Sequence, residues 1–185
     1  AKMSAQAAFR TKVLFDTNQL LQKAKSEEEI FSLTASQLMK LLNRSLIVYL
    51  EQNGGLGAEQ VFGVDGETAQ NIFSAPEERD AANWTFANKK RSGAGTDSYP
   101  DAKGLYLALR TGGGVFGVIG IDLSEKPLDA FENSVLLSIL GEGALAIENR
   151  RNALEKEQAT VQAKNEELRA NLLRTISHDL RTPLT

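Results

Sequence analysis

The chain has 185 residues, 42% apolar and 24% charged, with a net charge of −3. That balance suits a globular domain with an ordinary core and provides no electrostatic case for nucleic acid as a partner. Cysteine is absent, so disulfides, thiolate metal sites and thioether-linked chromophores are excluded, and the one histidine, His178, must carry any imidazole chemistry. No apolar run approaches the roughly 20 residues of a membrane span and no signal peptide is evident. The segment is therefore expected to be soluble and to make no membrane contact of its own.

Residues 5–24 read as a helix, with Phe9, Val13, Leu14, Leu20 and Leu21 at helical spacing on one face. Ser26 and Glu29 have the spacing of a capping box, in which the serine caps the helix and the glutamate reaches back. The helix so begun carries Ile30, Leu33, Leu38, Leu41 and Leu42 and ends near Asn43. Leu46–Leu50 is a short β-rich run, Asn53-Gly54-Gly55 a turn, and residues 60–63 the returning strand. Residues 66–73 form a short helix at most. A further helix is expected over residues 77–88, with Ser74 or Ala75 near its cap, acidic residues in its first turn, and Ala81, Trp84 and Ala87 facing inward.

Residues 89–103 read as one long loop. It holds the basic triplet Lys89-Lys90-Arg91, then Ser92-Gly93-Ala94-Gly95-Thr96-Asp97. A basic triplet followed by two glycines can present charge and backbone N–H groups to an anion. Equally, it can be a solvated loop with Asp97 in an Asx-turn. Leu105–Leu109 and Val115–Leu123 are the next two strands, joined by Thr111-Gly112-Gly113-Gly114. Gly117 and Gly120 leave room in the second of them for another element to pack closely, or for a bulge.

A long helix follows from about residue 129. From Leu140 an apolar residue recurs every seven positions: Ile147, Leu154, Val161 and Leu168. The companion seam, Ala144, Arg151, Gln158, Asn165 and Leu172, is largely polar. This is the pattern of a marginal coiled coil or of one long solvated helix with a narrow stripe. Past Leu168 the stripe moves to Leu172, Leu173, Ile176 and Leu180, a phase change of the kind a four-residue stutter produces. His178 falls off that stripe, with Asp179 adjacent and Thr182 one turn on. A neutral imidazole is a competent nucleophile near pH 7, and a neighbouring carboxylate can hold the Nδ1 proton so that Nε2 attacks. Pro183 should kink or end the helix.

The string Ser177-His178-Asp179-Leu180-Arg181-Thr182-Pro183-Leu184-Thr185 resembles the H-box of sensor histidine kinases at every motif position. The resemblance implies that His178 is the phospho-acceptor, that Asp179 assists phosphotransfer, and that Thr182 is linked to dephosphorylation of the partner response regulator.

The order helix, helix, hairpin, helix, loop, hairpin, long helix over residues 10–150 resembles a GAF domain. Trp84-x-Phe86, Ala94-Gly95-x-Asp97 and Gly117-Val118-Ile119-Gly120 are similar specifically to the GAF domain of KdpD-type potassium/turgor sensor kinases. The fold expected is α+β: a GAF-like antiparallel sheet with flanking helices and a long C-terminal signalling helix. Residues 1–24 form the entering helix, 25–149 the sensory domain, and 150–185 the signalling helix and the start of the phospho-acceptor domain. A GAF ligand would be walled by the inner sheet face, Trp84 and the 92–98 loop, chiefly Gly93, Gly95, Thr96 and Asp97; Trp84 also fits as a core aromatic. No metal site or cofactor is expected in this segment. Bilin and histidine-bound haem lack their attachment residues in the domain. The resemblance further implies a homodimer, a response regulator as partner, ATP and Mg²⁺ in the parent kinase, and the cytoplasmic portion of an inner-membrane bacterial sensor. The chain stops just after the H-box, so the segment alone is not expected to be an enzyme. The alternative is a ligand-binding or dimerisation module with no kinase coupling.

Overall fold

The computed structural model describes residues 2–181. It divides into two compact units, residues 1–148 and residues 149–185.

In the first unit, a five-stranded antiparallel sheet is ordered β2-β1-β5-β4-β3. The strands are β1 (Leu46–Gln52), β2 (Gly55–Phe62), β3 (Ser92–Gly93), β4 (Gly104–Thr111) and β5 (Gly114–Asp122). The helices are α1 (Lys2–Gln22), α2 (Glu27–Leu42), α3 (Gly66–Phe73), α4 (Pro76–Asn88) and α5 (Ala130–Arg181). Apolar residues on both faces of the central strands give two cores, one per face. Leu46 and Val48 of β1, Leu105, Leu107 and Leu109 of β4, and Ile119 and Ile121 of β5 face a large cluster with α2 and the first half of α5. The alternate residues Ile47, Tyr49, Tyr106 and Val118 face a smaller cluster with Phe73 of α3 and Ala81 and Ala82 of α4. This is the expected α+β architecture.

Several local expectations change. The buried face of α1 is centred on Thr17, which turns Val13 and Leu21 inward and leaves Leu20 at its exposed edge. Phe9 is also exposed, although its ring lies 6.4 Å from that of Phe131 on α5. Ser26 accepts from the Glu29 N–H at 3.1 Å, but Glu29 reaches the N–H of Lys25, one residue earlier than a capping box requires. α2 ends at Asn43 in the left-handed conformation. On α4 the inward row is Glu78, Ala81, Ala82 and Thr85; Trp84 is only half-buried and Ala87 is exposed. The sheet face below is crowded by Tyr49 and Tyr106, so small side chains are what let this helix come close. Residues 89–103 are not one loop, because Ser92 and Gly93 pair with Tyr106 and Leu105 as an edge strand.

The two glycines of β5 provide the room their absent side chains suggest. A Cβ on Gly120 would sit 2.7 Å from Ile47 Cγ2 and closer still to the Tyr106 ring, and one on Gly117 would sit 2.7 Å from the Phe31 ring. The register of β4 with β5 also slips beside Gly117: Leu109 pairs with Gly117 and Arg110 with Val115, which leaves Phe116 as an extra residue on β5.

Despite the expectation of no membrane-length segment, α5 is long and apolar enough, by length and composition, to cross a membrane. Its apolar residues Val135, Leu136, Ile139, Leu140 and Ile147 are buried in the large core cluster, as in a core helix of a globular domain. In the second unit, every described side chain from residue 152 onward is exposed, including the stripe Leu154, Val161, Leu168, Leu172, Leu173, Ile176 and Leu180.

Candidate functional site

His178 stands near the end of α5, with 80% of its side chain exposed and Asp179 at 76%. The Nδ1 of His178 lies 3.8 Å from Oδ1 of Asp179, close enough for electrostatic influence and longer than a hydrogen bond. Because the neighbouring side chains are exposed as well, accessibility alone does not set His178 apart. Its place off the Leu173–Ile176–Leu180 row does, since covering that row would leave the imidazole outside the contact. Thr182 and Pro183 lie outside the described residues.

The residues expected to wall a ligand separate into two places. Trp84 is on α4, where its carbonyl accepts from the Asn88 side chain at 2.9 Å. Gly95 and Thr96 line a recess of about 420 Å³ together with Arg91, Leu105, Leu128 and Asn133, and Trp84 is not among its walls. The Thr96 hydroxyl organises the turn: it donates to the carbonyls of Gly93 and Ser98 at 2.8 Å and accepts from the Ser98 N–H at 3.3 Å. Gly93 is buried at φ +92°, and a Cβ there would run into the carbonyl of Gly104, so glycine is required. Asp97 is exposed. The sheet face beneath α3 and α4 is filled by the smaller core cluster.

At the centre of that cluster is a polar group the sequence reading missed. Glu78, in the first turn of α4, reads from sequence as an exposed acid complementing the helix dipole; it is 2% exposed. Its carboxylate accepts from the N–H of Lys103 at 3.0 Å, the N–H of Gly104 at 2.8 Å and the hydroxyl of Tyr106 at 3.0 Å. Burial pushes the Tyr106 hydroxyl far above its ordinary pKa, and the nearby Glu78 charge adds to the shift. Burial, with Glu59 adding, raises Tyr49 to about 12. The Arg79 guanidinium lies 4.9 Å from the Tyr49 ring centroid and donates to the carbonyl of Leu56 at 2.9 Å. The network ties α4 to β1, β2 and β4 and leaves no buried side-chain polar atom unsatisfied among the described residues.

A second missed residue is Arg44, 7% exposed between α2 and β1. It donates to the carbonyls of Asp122, Lys126 and Pro127 and to the carboxylate of Glu132. Nothing in the local pattern around Asn43-Arg44 marks it, because its acceptors lie some 80 residues away.

The antiparallel sheet with helices on both faces is that of a GAF domain. No family model matches the chain. Over 95% of its length it is 35% identical to "Sensor protein KdpD" of Clostridium acetobutylicum, covering 20% of that protein, and over the same share it is 28% identical to "Sensor protein KdpD" of Escherichia coli, covering 19%. The GAF domain of the potassium sensor histidine kinase KdpD from Escherichia coli superposes with a TM-score of 0.54 at 18% identity, over 82% of this chain and 99% of that one. The GAF domain of an Acinetobacter phosphoenolpyruvate-protein phosphotransferase also gives 0.54, at 12% identity, over 78% and 95%. Over nearly its whole length the chain is thus similar to KdpD-type sensor proteins, and its fold is that of their GAF region. It spans about one fifth of the length of the curated relatives it matches.

Proposed function

We propose that this chain is the sensory and signal-transmitting part of a two-component sensor histidine kinase of the potassium-sensing type, in which α5 relays the state of the GAF domain to phospho-acceptor His178. The observation that carries this reading is the continuity of α5. One helix begins in the core of the GAF unit, at Val135–Ile147, and runs without interruption to His178 and Asp179 of the H-box.

In the phosphotransfer step, Nε2 of His178 forms a bond to the γ-phosphorus of ATP as the bond to the leaving ADP oxygen breaks. Asp179 holds the proton on Nδ1 and steadies the charge that develops on the ring. Thr182 serves the opposing activity, dephosphorylation of the response regulator, in which its hydroxyl positions a water that takes up the phosphoryl group and releases inorganic phosphate. ATP and Mg²⁺ belong in this reading to a catalytic domain of the parent. No group of three or more His, Asp or Glu side chains among the described residues could hold a metal. The exposed stripe Leu154, Val161 and Leu168 is the surface on which a second copy pairs in a homodimer. Its polar companions Gln158 and Asn165 keep that pairing weak enough to shift. The parent is a bacterial inner-membrane sensor, with this region on the cytoplasmic side.

ATP-dependent labelling tests the reading. The 185 residues alone should take up no phosphate, the parent protein should, and His178→Ala in the parent should abolish the label. Undiminished acid-labile phosphate on the His178→Ala parent would overturn it.

The recess beside Gly95 and Thr96, at the start of α5, favours a second reading: a small-ligand module that uses Gly95 and Thr96 of the expected set, without Trp84, Gly93 or Asp97. A reproducible thermal shift with a nucleotide or K⁺, lost in Thr96→Val, would support it, and no shift with any of them would count against it.

A further inference from the structure

Before α5 can relay anything, its first turn must be held to the sheet, and the structure places one side chain there. β5 ends at Asp122 and α5 begins at Ala130. The connector between them has its carbonyls at Asp122, Lys126 and Pro127 turned toward Arg44, which donates to them at 3.1, 2.7 and 3.0 Å. The same guanidinium donates from Nε to Oε2 of Glu132 at 3.2 Å. Glu132 has a second task. Its Oε1 accepts from the Asp129 N–H at 3.2 Å, while the Glu132 N–H donates to the Asp129 side chain at 2.7 Å. That reciprocal pair is the cap of α5. One carboxylate therefore serves the cap of the output helix and the buried arginine of the sensory sheet at once.

Chemistry explains why arginine is needed. Its planar fork presents five donors in fixed directions, whereas lysine has a single ammonium on a flexible stem and cannot reach three carbonyls and a carboxylate together. Arg44 is itself fixed, lying between the left-handed Asn43 cap of α2 and Ser45, whose carbonyl accepts the Asp122 N–H at 3.0 Å. Arg44 also lines a cleft of about 420 Å³ with Asp65 and Thr68 of the α3 region and Glu125 and Lys126 of the connector. The start of α3, Arg44 and the β5–α5 connector thus line one cleft.

We propose that Arg44 is the positioning residue that sets the first turn of α5 against the sheet, so that any change in the sensory unit reaches the output helix through the Arg44–Glu132 pair and the connector carbonyls. The relay itself rests on the functional reading above; the positioning role does not.

Hydrogen–deuterium exchange on the 185-residue chain tests the role directly. In Arg44→Met, amides of the connector and of the first two turns of α5 should exchange about tenfold faster or more, the size of one lost hydrogen bond to a charged group, while those of α2, β4 and β5 keep their rates. Arg44→Lys should not rescue the effect. Glu132→Gln keeps an acceptor and removes the charge, so it should show the same local pattern at smaller amplitude, and it decides the matter if Arg44→Met fails to fold. A purely structural role would raise exchange across β4, β5 and α2 together, and that result, or no change at all, would overturn the proposal. Disulfide cross-linking between copies through Leu168→Cys reports separately the pairing on which the functional reading relies, so the two ideas can fail independently.

Discussion

Replacing Glu78 by alanine removes the acceptor for three groups at once: the N–H of Lys103, the N–H of Gly104 and the hydroxyl of Tyr106. The Gly104 N–H and the Tyr106 hydroxyl are left without a partner where water has little access, while the Lys103 N–H is only part-buried. A buried donor left unsatisfied costs roughly 1–3 kcal/mol, and the lost bonds were to a charged group. Allowing for relaxation and entry of a water into the vacated space, we expect a loss of about 3–5 kcal/mol. Against the roughly 5–15 kcal/mol of a typical domain this is a large fraction. For a chain of this size it corresponds to a fall in melting temperature of about 10 °C. Urea and thermal unfolding followed by circular dichroism measure both quantities. Glu78→Gln provides the control: it keeps one acceptor oxygen but turns an amide donor toward a backbone donor, and about 1–3 kcal/mol should be lost. If Glu78→Ala unfolds within roughly 0.5 kcal/mol of the parent chain, the argument that this carboxylate anchors α4 to the sheet is wrong.

The buried tyrosines make an alkaline prediction. Burial raises Tyr106, and Tyr49 to about 12, above the ordinary 10, so the fold favours their neutral forms. Their contribution to stability is complete below about pH 10 and is lost as pH rises toward the folded values. A melting temperature that is flat to about pH 10 and then falls, with tyrosinate absorbance appearing together with unfolding, is the expected record; ionisation of both residues near pH 10 in a folded chain would contradict it. Gly120→Ala should cost roughly 1–3 kcal/mol in chemical denaturation, because its Cβ would press on Ile47 and the Tyr106 ring. Leu168→Glu should weaken self-association in analytical ultracentrifugation and leave the melting of the GAF unit unchanged, since Leu168 is exposed and outside both cores. Unaltered association would remove the stripe from the proposed dimer.

Much of this architecture was legible along the chain. β1 reads as buried because every residue from Leu46 to Leu50 is apolar, and a strand covered on both faces needs no alternation. The helix ends were legible where a short-range signal exists, as with Ser26 and Asn43. The misplacements on α4 have a common cause. Trp84 reads as inward by hydrophobicity, but the space under α4 is already taken by tyrosines from β1 and β4, so alanines face the sheet and Trp84 lies at the margin. The edge strand at Ser92–Gly93 was missed because two residues carry no periodicity, and their pairing with β4 depends on a chain segment elsewhere.

The division of labour follows from range. Periods and local motifs act over a few residues, so the sequence by itself determined the order of the longer elements, the continuity of α5 and the presence of a histidine–aspartate pair near its end, but not the two-residue edge strand β3. It could not tell which parts of one seven-residue series meet a core. Leu140, Ala144 and Ile147 are buried in the GAF unit, while Leu154, Val161 and Leu168 continue the same spacing and are exposed. Nor could it reveal Glu78 or Arg44. A charged side chain is stable when buried only if distant partners converge on it, and that convergence of β4 on Glu78, and of the β5–α5 connector on Arg44, exists only once the chain has folded.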